Sequence, residues 1–162
     1  MNFLARCAKS NVGRATVSVG LLTLILAATP TAAAEPPPDD DIRGYPIATG
    51  NYTTPQDFYY VFFKTPDGRA CGIGPNGGPV GCDAVGHDAP AGTNQTIVNS
   101  WGPAEYLHSD TATFTRDVDV LLAGYRLENW GATCAVDDKG AVHCQTYDNH
   151  GFVVSVDDGE LW

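Results

Sequence analysis

From residue 49 onward the chain is a succession of short β-branched and aromatic runs, separated by clusters of Gly, Pro, Asn and Asp at intervals of roughly ten residues. That rhythm predicts an all-β domain. The first run, "DFYYVFFK" at 57–64, is closed by "TPDG", where Pro66 presets φ and Gly68 accepts the conformation that reverses the chain. The stretch "CGIGPNGGPVGC" follows at 71–82. Asn76-Gly77 is a strong hairpin signal, because a two-residue I′ turn needs positive φ at both positions. Counting outward sets 73 against 80 and Cys71 against Cys82; a four-residue loop over 75–78 is the other way to close it. "TCAVDDKGAVHCQ" at 133–145 repeats the arrangement. Its 138–140 suits a three-residue loop with a left-handed glycine, which sets 136 against 142 and Cys134 against Cys144. In both hairpins the residues sharing the cysteine face are apolar, Ile73 with Val80 and Val136 with Val142.

Two hairpins of one design imply an internal repeat, and the predicted fold is a small disulfide-stapled sandwich or partly open barrel built from two hairpin repeats. Gly72 and Gly81 face each other away from the cysteines, leaving bare backbone for packing or for a partner. The rest is less regular. Residues 83–103 read mainly as loop with a short strand at 96–98, 104–107 has the makings of one helical turn, and 111–128 alternates well enough for one or two strands broken near Gly124. "GFVVSVDDGELW" reads as a closing strand and turn.

The N-terminal 15 residues carry Arg6, Lys9 and Arg14 without an acid, and an apolar run at 17–28 follows, too short for a membrane span. With Ala32-Ala33-Ala34 before Glu35, this is the pattern of a Sec signal peptide over 1–34. "EPPPDDDIRGYP" then reads as a flexible Pro/Asp-rich leader over 35–48, ahead of a single β-domain over 49–162. The four cysteines beyond the signal are an even number in an exported chain, which favours disulfides over metal or thiol chemistry. Of the three connectivities, local pairing of Cys71 with Cys82 and Cys134 with Cys144 keeps the register that each turn prescribes.

The whole chain carries 9 basic and 19 acidic residues. Loss of the signal would remove three of the bases, leaving a net charge of −13. Such a field disfavours nucleic acid and anionic membrane surfaces as partners. The residues "FFKTPDGRACGI", "VGCD", "SWG" and "LLAGYRLENWGATCAVDDKGAVHCQTYDNHGFVVS" resemble a family of small, uncharacterised exported proteins of actinobacteria, with an F-x-S-P-S-G-x-x-C motif and a closing G-x-x-C, G-x-x-C, G-H-G-F pattern. The resemblance implies secretion and hairpin disulfides and transfers no catalytic residue. The chain departs from the pattern at Thr65 and Asp67, at Ala123-Gly124-Tyr125, and in having no third cysteine pair.

Candidate chemistry is sparse. His108-Ser109-Asp110 has the residue types of a hydrolase triad, but three consecutive side chains cannot converge as base, nucleophile and orienter. The expected position of His143 is opposite the disulfide, facing solvent. His150, in "NHGF" beside a glycine that permits close approach, is the more interesting histidine, and Asp148 or Asp83 would be its partner in a hydrolase. No calcium loop or H-E-x-x-H occurs, and no metal or cofactor is expected. The aromatics exceed what one face of a small core needs, and His150, Trp101, Trp130 and Tyr125 stand out as binding candidates. The reading is a non-enzymatic exported module that binds an unidentified protein or envelope glycan. The rivals are a small secreted hydrolase using His150 and a protease-inhibitor-like loop at 75–79.

Overall fold

The computed structural model describes residues 41–162, so the expected signal peptide and the first part of the leader lie outside the described residues. Ten strands follow: β1 (Val61–Lys64), β2 (Ala70–Ile73), β3 (Val80–Cys82), β4 (Gln95–Asn99), β5 (Gly102–Leu107), β6 (Tyr125–Asn129), β7 (Ala132–Val136), β8 (Val142–Gln145), β9 (Gly151–Val154) and β10 (Gly159–Leu161). They form two antiparallel five-stranded sheets, β1 to β5 and β6 to β10, each a meander in sequence order. The repeat is therefore larger than a hairpin: it is a whole sheet, with a disulfide joining its second and third strands. The sheets stack as a sandwich and do not close into a barrel.

Both turn-based registers hold. Ile73 pairs with Val80 and Cys71 with Cys82; Val136 pairs with Val142 and Cys134 with Cys144. The local disulfides follow, Cys71–Cys82 and Cys134–Cys144. Asn76 and Gly77 have φ of 55° and 88°, and Gly78 N donates to Pro75 O, as the I′ turn requires. Pairing resumes at Gly74, whose N–H donates to Pro79 O. The cysteine pairs lie with Cα atoms 4.0 and 4.1 Å apart, close to the spacing of opposed residues that exchange no ladder bonds. Each bridge closes a short loop and contributes about 3 kcal/mol on the loop-entropy account.

Pleat alternation places the cysteines inside. Phe63, Cys71 and Cys82 lie in register across the first sheet, and Leu127, Cys134, Cys144 and Phe152 across the second. These rows meet with Ile73, Val80, Val98, Val136, Val142 and Val154 in one buried core. Equivalent strands face each other, β1 on β6, β2 on β7, β4 on β9 and β5 against β10. That is the mark of an approximate two-fold axis between the sheets, and it sends equivalent hairpin tips to opposite ends of the molecule. Two polar cross-links fix the ends. Arg69, beside the β1–β2 turn, donates to Val154 O (2.8 Å) and Gly140 O, while Asn129 Nδ2 at the end of β6 donates to Ile73 O (2.9 Å).

The outer faces are where sequence expectation and structure part. The bare backbone at Gly72 and Gly81 is filled by the chain's own Phe114: a Cβ at either glycine would lie 2.9 to 3.0 Å from its ring. Phe62, Phe114 and Val118 form a second small core there. The strand expected in 111–123 does not form: Val120 makes only an isolated parallel bridge to Lys64, and Asp83 holds 113–115 out of the sheet ladders. Its carboxylate accepts from Thr113 N, Phe114 N, Thr115 N and Thr115 Oγ1, all at 2.8 to 2.9 Å. The turn expected at 104–107 is strand β5 instead, continuing the meander. The leader docks earlier than the expected boundary at 49: Ile42 is buried, and Ile47 bridges Arg126 on the open edge of β6, capping unpaired backbone. His143 does point away from the disulfide, yet it is buried rather than solvated, with Nε2 2.9 Å from Asp137 Oδ2.

Candidate binding surface

At the end that carries the β2–β3 tip, five chain segments converge. Ser100 N donates to Gly77 O (2.8 Å), tying the β4–β5 turn to the tip. Asn129 Nδ2 also donates to Tyr59 O (2.8 Å), bringing in the segment before β1. Tyr147, in the β8–β9 turn, packs beside both Gly77 and Gly131. The large aromatic residues of these segments are exposed: Trp101 75%, Phe58 63%, Tyr147 59%, Tyr59 55% and Trp130 52%. Single exposed apolar residues are ordinary, but a group of rings on adjoining turns marks a contact surface.

Trp130 sharpens the point. With Gly131 it forms the two-residue tip between Asn129 and Ala132, and both tip residues have positive φ, 49° and 83°. Asn-Gly would adopt that turn without strain, whereas a bulky residue at positive φ costs about 1–3 kcal/mol. The fold holds a tryptophan in an unfavourable backbone conformation and then leaves its ring half in solvent. Neither backbone preference nor full burial selects a tryptophan at this position.

Of the four binding candidates named from sequence, Trp101, Trp130 and His150 lie at this end and Tyr125 does not. His150 is half-buried at the entrance to β9, and its carbonyl accepts from Thr146 N and Oγ1 (2.8 and 3.1 Å). Among the described residues no carboxylate bonds its ring. Asp83 lies at the opposite end, engaged with 113–115, so the structure does not bring it to His150. Elsewhere, His108 Nε2 faces Asp110 Oδ1 (3.2 Å) while Ser109 Oγ donates to Thr111 O, so "HSD" is a hydrogen-bonded loop. In the β2–β3 tip Gly77 is buried under Ser100 and Tyr147, while Asn76 is exposed. No group of metal-ligating side chains occurs among the described residues.

Tyr125 belongs to a separate groove of about 540 Å³ along the β1/β6 side, lined by Ile47, Ala48, Thr49, Tyr52, Asp119, Val120, Leu122 and Tyr125. Sequence reading missed it, because Ile47 was assigned to a solvated leader and 119–122 to a strand. The available signal was the run of three apolar residues at 120–122, more than one face of a strand can bury. No family model matches the chain, and no curated protein or solved structure is significantly similar to it. Two hairpin disulfides fit an extracellular protein. No helix among the described residues is long and apolar enough to cross a membrane.

Proposed function

We propose that the protein is an exported, non-enzymatic binding module that holds an extracellular protein or an envelope glycan through its aromatic end. The observation that carries the reading is Trp130, kept at positive φ on an exposed tip beside Tyr147, at the same end of the sandwich as exposed Trp101. Loops at one end of a β-sandwich are the usual place for a grafted binding site, and Trp and Tyr are the residues that dominate contact energy. Asn76, Asn99 and Asn149 stand among the rings, and short amides beside rigid aromatics give adaptable hydrogen bonding at low entropic cost. The signal-peptide pattern and the resemblance to small exported proteins support export.

The test is retention of the chain from residue 35 onward on washed, insoluble envelope material from the source cells, measured as a binding isotherm. Trp101→Ala with Trp130→Ala should weaken retention at least tenfold, since truncating a central anchor costs about 2 kcal/mol or more. Unchanged circular dichroism would show that the fold survives. Retention equal to that of the parent protein would refute the assignment of the surface.

A further inference from the structure

We propose that the groove beside Tyr125 is a second binding site, independent of the aromatic end, and that it takes an amphiphilic organic cation: an ammonium group on an apolar body. The walls supply the apolar part. Ile47, Val120, Leu122 and Tyr125 all line the groove and are all exposed, at 56, 40, 59 and 41%. A volume of about 540 Å³ falls in the range of small-molecule sites, which pair apolar walls with a few convergent polar groups.

The polar groups select the charge. Asp119 is the only carboxylate of the lining and no Lys or Arg shares it. Its Oδ2 accepts from Asn51 N (2.7 Å), which anchors the exposed carboxylate at the groove. Lys64, whose backbone N–H donates to Asp119 O, sends its ammonium to Asp117 instead (3.4 Å). Tyr52 stands next to the carboxylate: a Cβ at Gly50 would touch Asp119 Oδ2 and the Tyr52 ring at once, at 2.8 and 2.9 Å. Burial, and then the Asp119 charge, push the Tyr52 phenol up from its ordinary value. The anchored carboxylate offers an ammonium a counter-charge, and the exposed Tyr125 ring in the same lining is available for cation–π contact. An anion would meet only the like charge.

Calorimetric titration with octyltrimethylammonium at low ionic strength, below its aggregation limit, tests the site, with octyl sulfate and octyl glucoside as anionic and neutral comparators. Saturable one-to-one binding of the cation is expected, with no binding of the anion and weaker binding of the neutral chain. Asp119→Asn, which keeps an oxygen for Asn51 N–H, should weaken the cation about five- to tenfold, the scale of one close charge near a protein surface. Leu122→Ala should weaken all chains that bind, without touching Asn51. Asp148→Asn removes the same unit of charge from an exposed position in the β8–β9 turn, at the other end of the molecule, and should change nothing. Equal losses in the Asp148 and Asp119 variants would mean a general field of the acidic surface, and equal binding of cation and neutral chain would mean an unselective apolar groove. Either result, or the lack of saturable binding, overturns the proposal.

Discussion

Phe114→Ala probes the least expected piece of the architecture, the 111–118 segment held on the outer face of the first sheet. Phe114 is fully buried, its ring seated over Gly72 and Gly81, where no Cβ could fit beside it, and next to Phe62 and Val118. The two glycines cannot collapse inward to refill the space, since strand backbone forms the floor. Truncation should therefore fall in the full range for buried phenylalanine, about 3–5 kcal/mol. With a urea m-value of about 1.5 kcal/mol/M for a domain of this size, the unfolding midpoint drops by about 2–3 M. Phe114→Leu should recover more than half of that. The assay is equilibrium urea denaturation followed by tryptophan fluorescence, with both disulfides intact. A loss below about 1 kcal/mol would refute the packing account, because a ring that closes over two strand glycines cannot be that dispensable.

Three further outcomes are expected. Non-reducing peptide mapping should link 71 with 82 and 134 with 144, and replacing Cys134 and Cys144 together by Ala should cost about 3 kcal/mol in denaturant titration. Arg69→Met should lower stability by about 2–3 kcal/mol by thermal unfolding, since it leaves Val154 O and Gly140 O without the donor that joins the sheets, and Arg69→Lys should restore less than half because an ammonium cannot fork. Burial pushes the Asp137 carboxyl up, but His143 at 2.9 Å and the N–H groups of Ala141 and Lys139 outweigh it and hold it below the usual carboxylate range. A folded-state pKa below the unfolded one stabilises above the unfolded value and is lost as pH falls through the folded one. The stability gap between the native chain and Asp137→Asn, read from urea midpoints, should therefore shrink from about pH 5 toward pH 2.

The hairpins were legible because their instructions are local. Asn76-Gly77 and Gly140 fix turn geometry within a few residues, turn geometry fixes register, and register places each cysteine opposite its partner. Period-two alternation then assigned the inner face correctly, including the outward direction of His143. It could not say that a second layer would cover that face, because what lies over a sheet comes from remote sequence. Asp83 grips 113–115 from thirty residues away, and nothing in "DAVGHD" announces three backbone donors waiting for its carboxylate. Ile42 was a lone apolar residue in an acidic, proline-rich stretch, and composition outvoted it. The aromatic end was half legible: Trp101 and Trp130 stood out as residues, but the convergence of their turns depends on the two-fold stacking of the sheets, which no single turn encodes.

That stacking also explains why the cluster of exposed rings is found at one end. The two-fold axis makes the β1–β2 turn and the β6–β7 turn equivalent, and they have diverged in opposite directions. At 65–69 the turn is closed by Gly68 at φ 92°, and its neighbour Arg69 reaches across to latch the other sheet. At 129–132 Asn129 performs the latch from inside the strand, which frees the tip for Trp130. Charge follows the same division in part, with exposed Asp148 staying beside Tyr147. Exposed Asp88, Asp138, Asp157 and Asp158 gather at the end opposite the aromatic one, where Asp88 N donates to Asp157 O and the 137–140 tip lies alongside. The centres of protein contact surfaces are rich in aromatics and poor in Asp and Glu. A symmetric frame of two similar sheets thus yields two unlike ends, one gathering acids and one gathering exposed rings, and the asymmetry arises in the loops while the core stays equivalent.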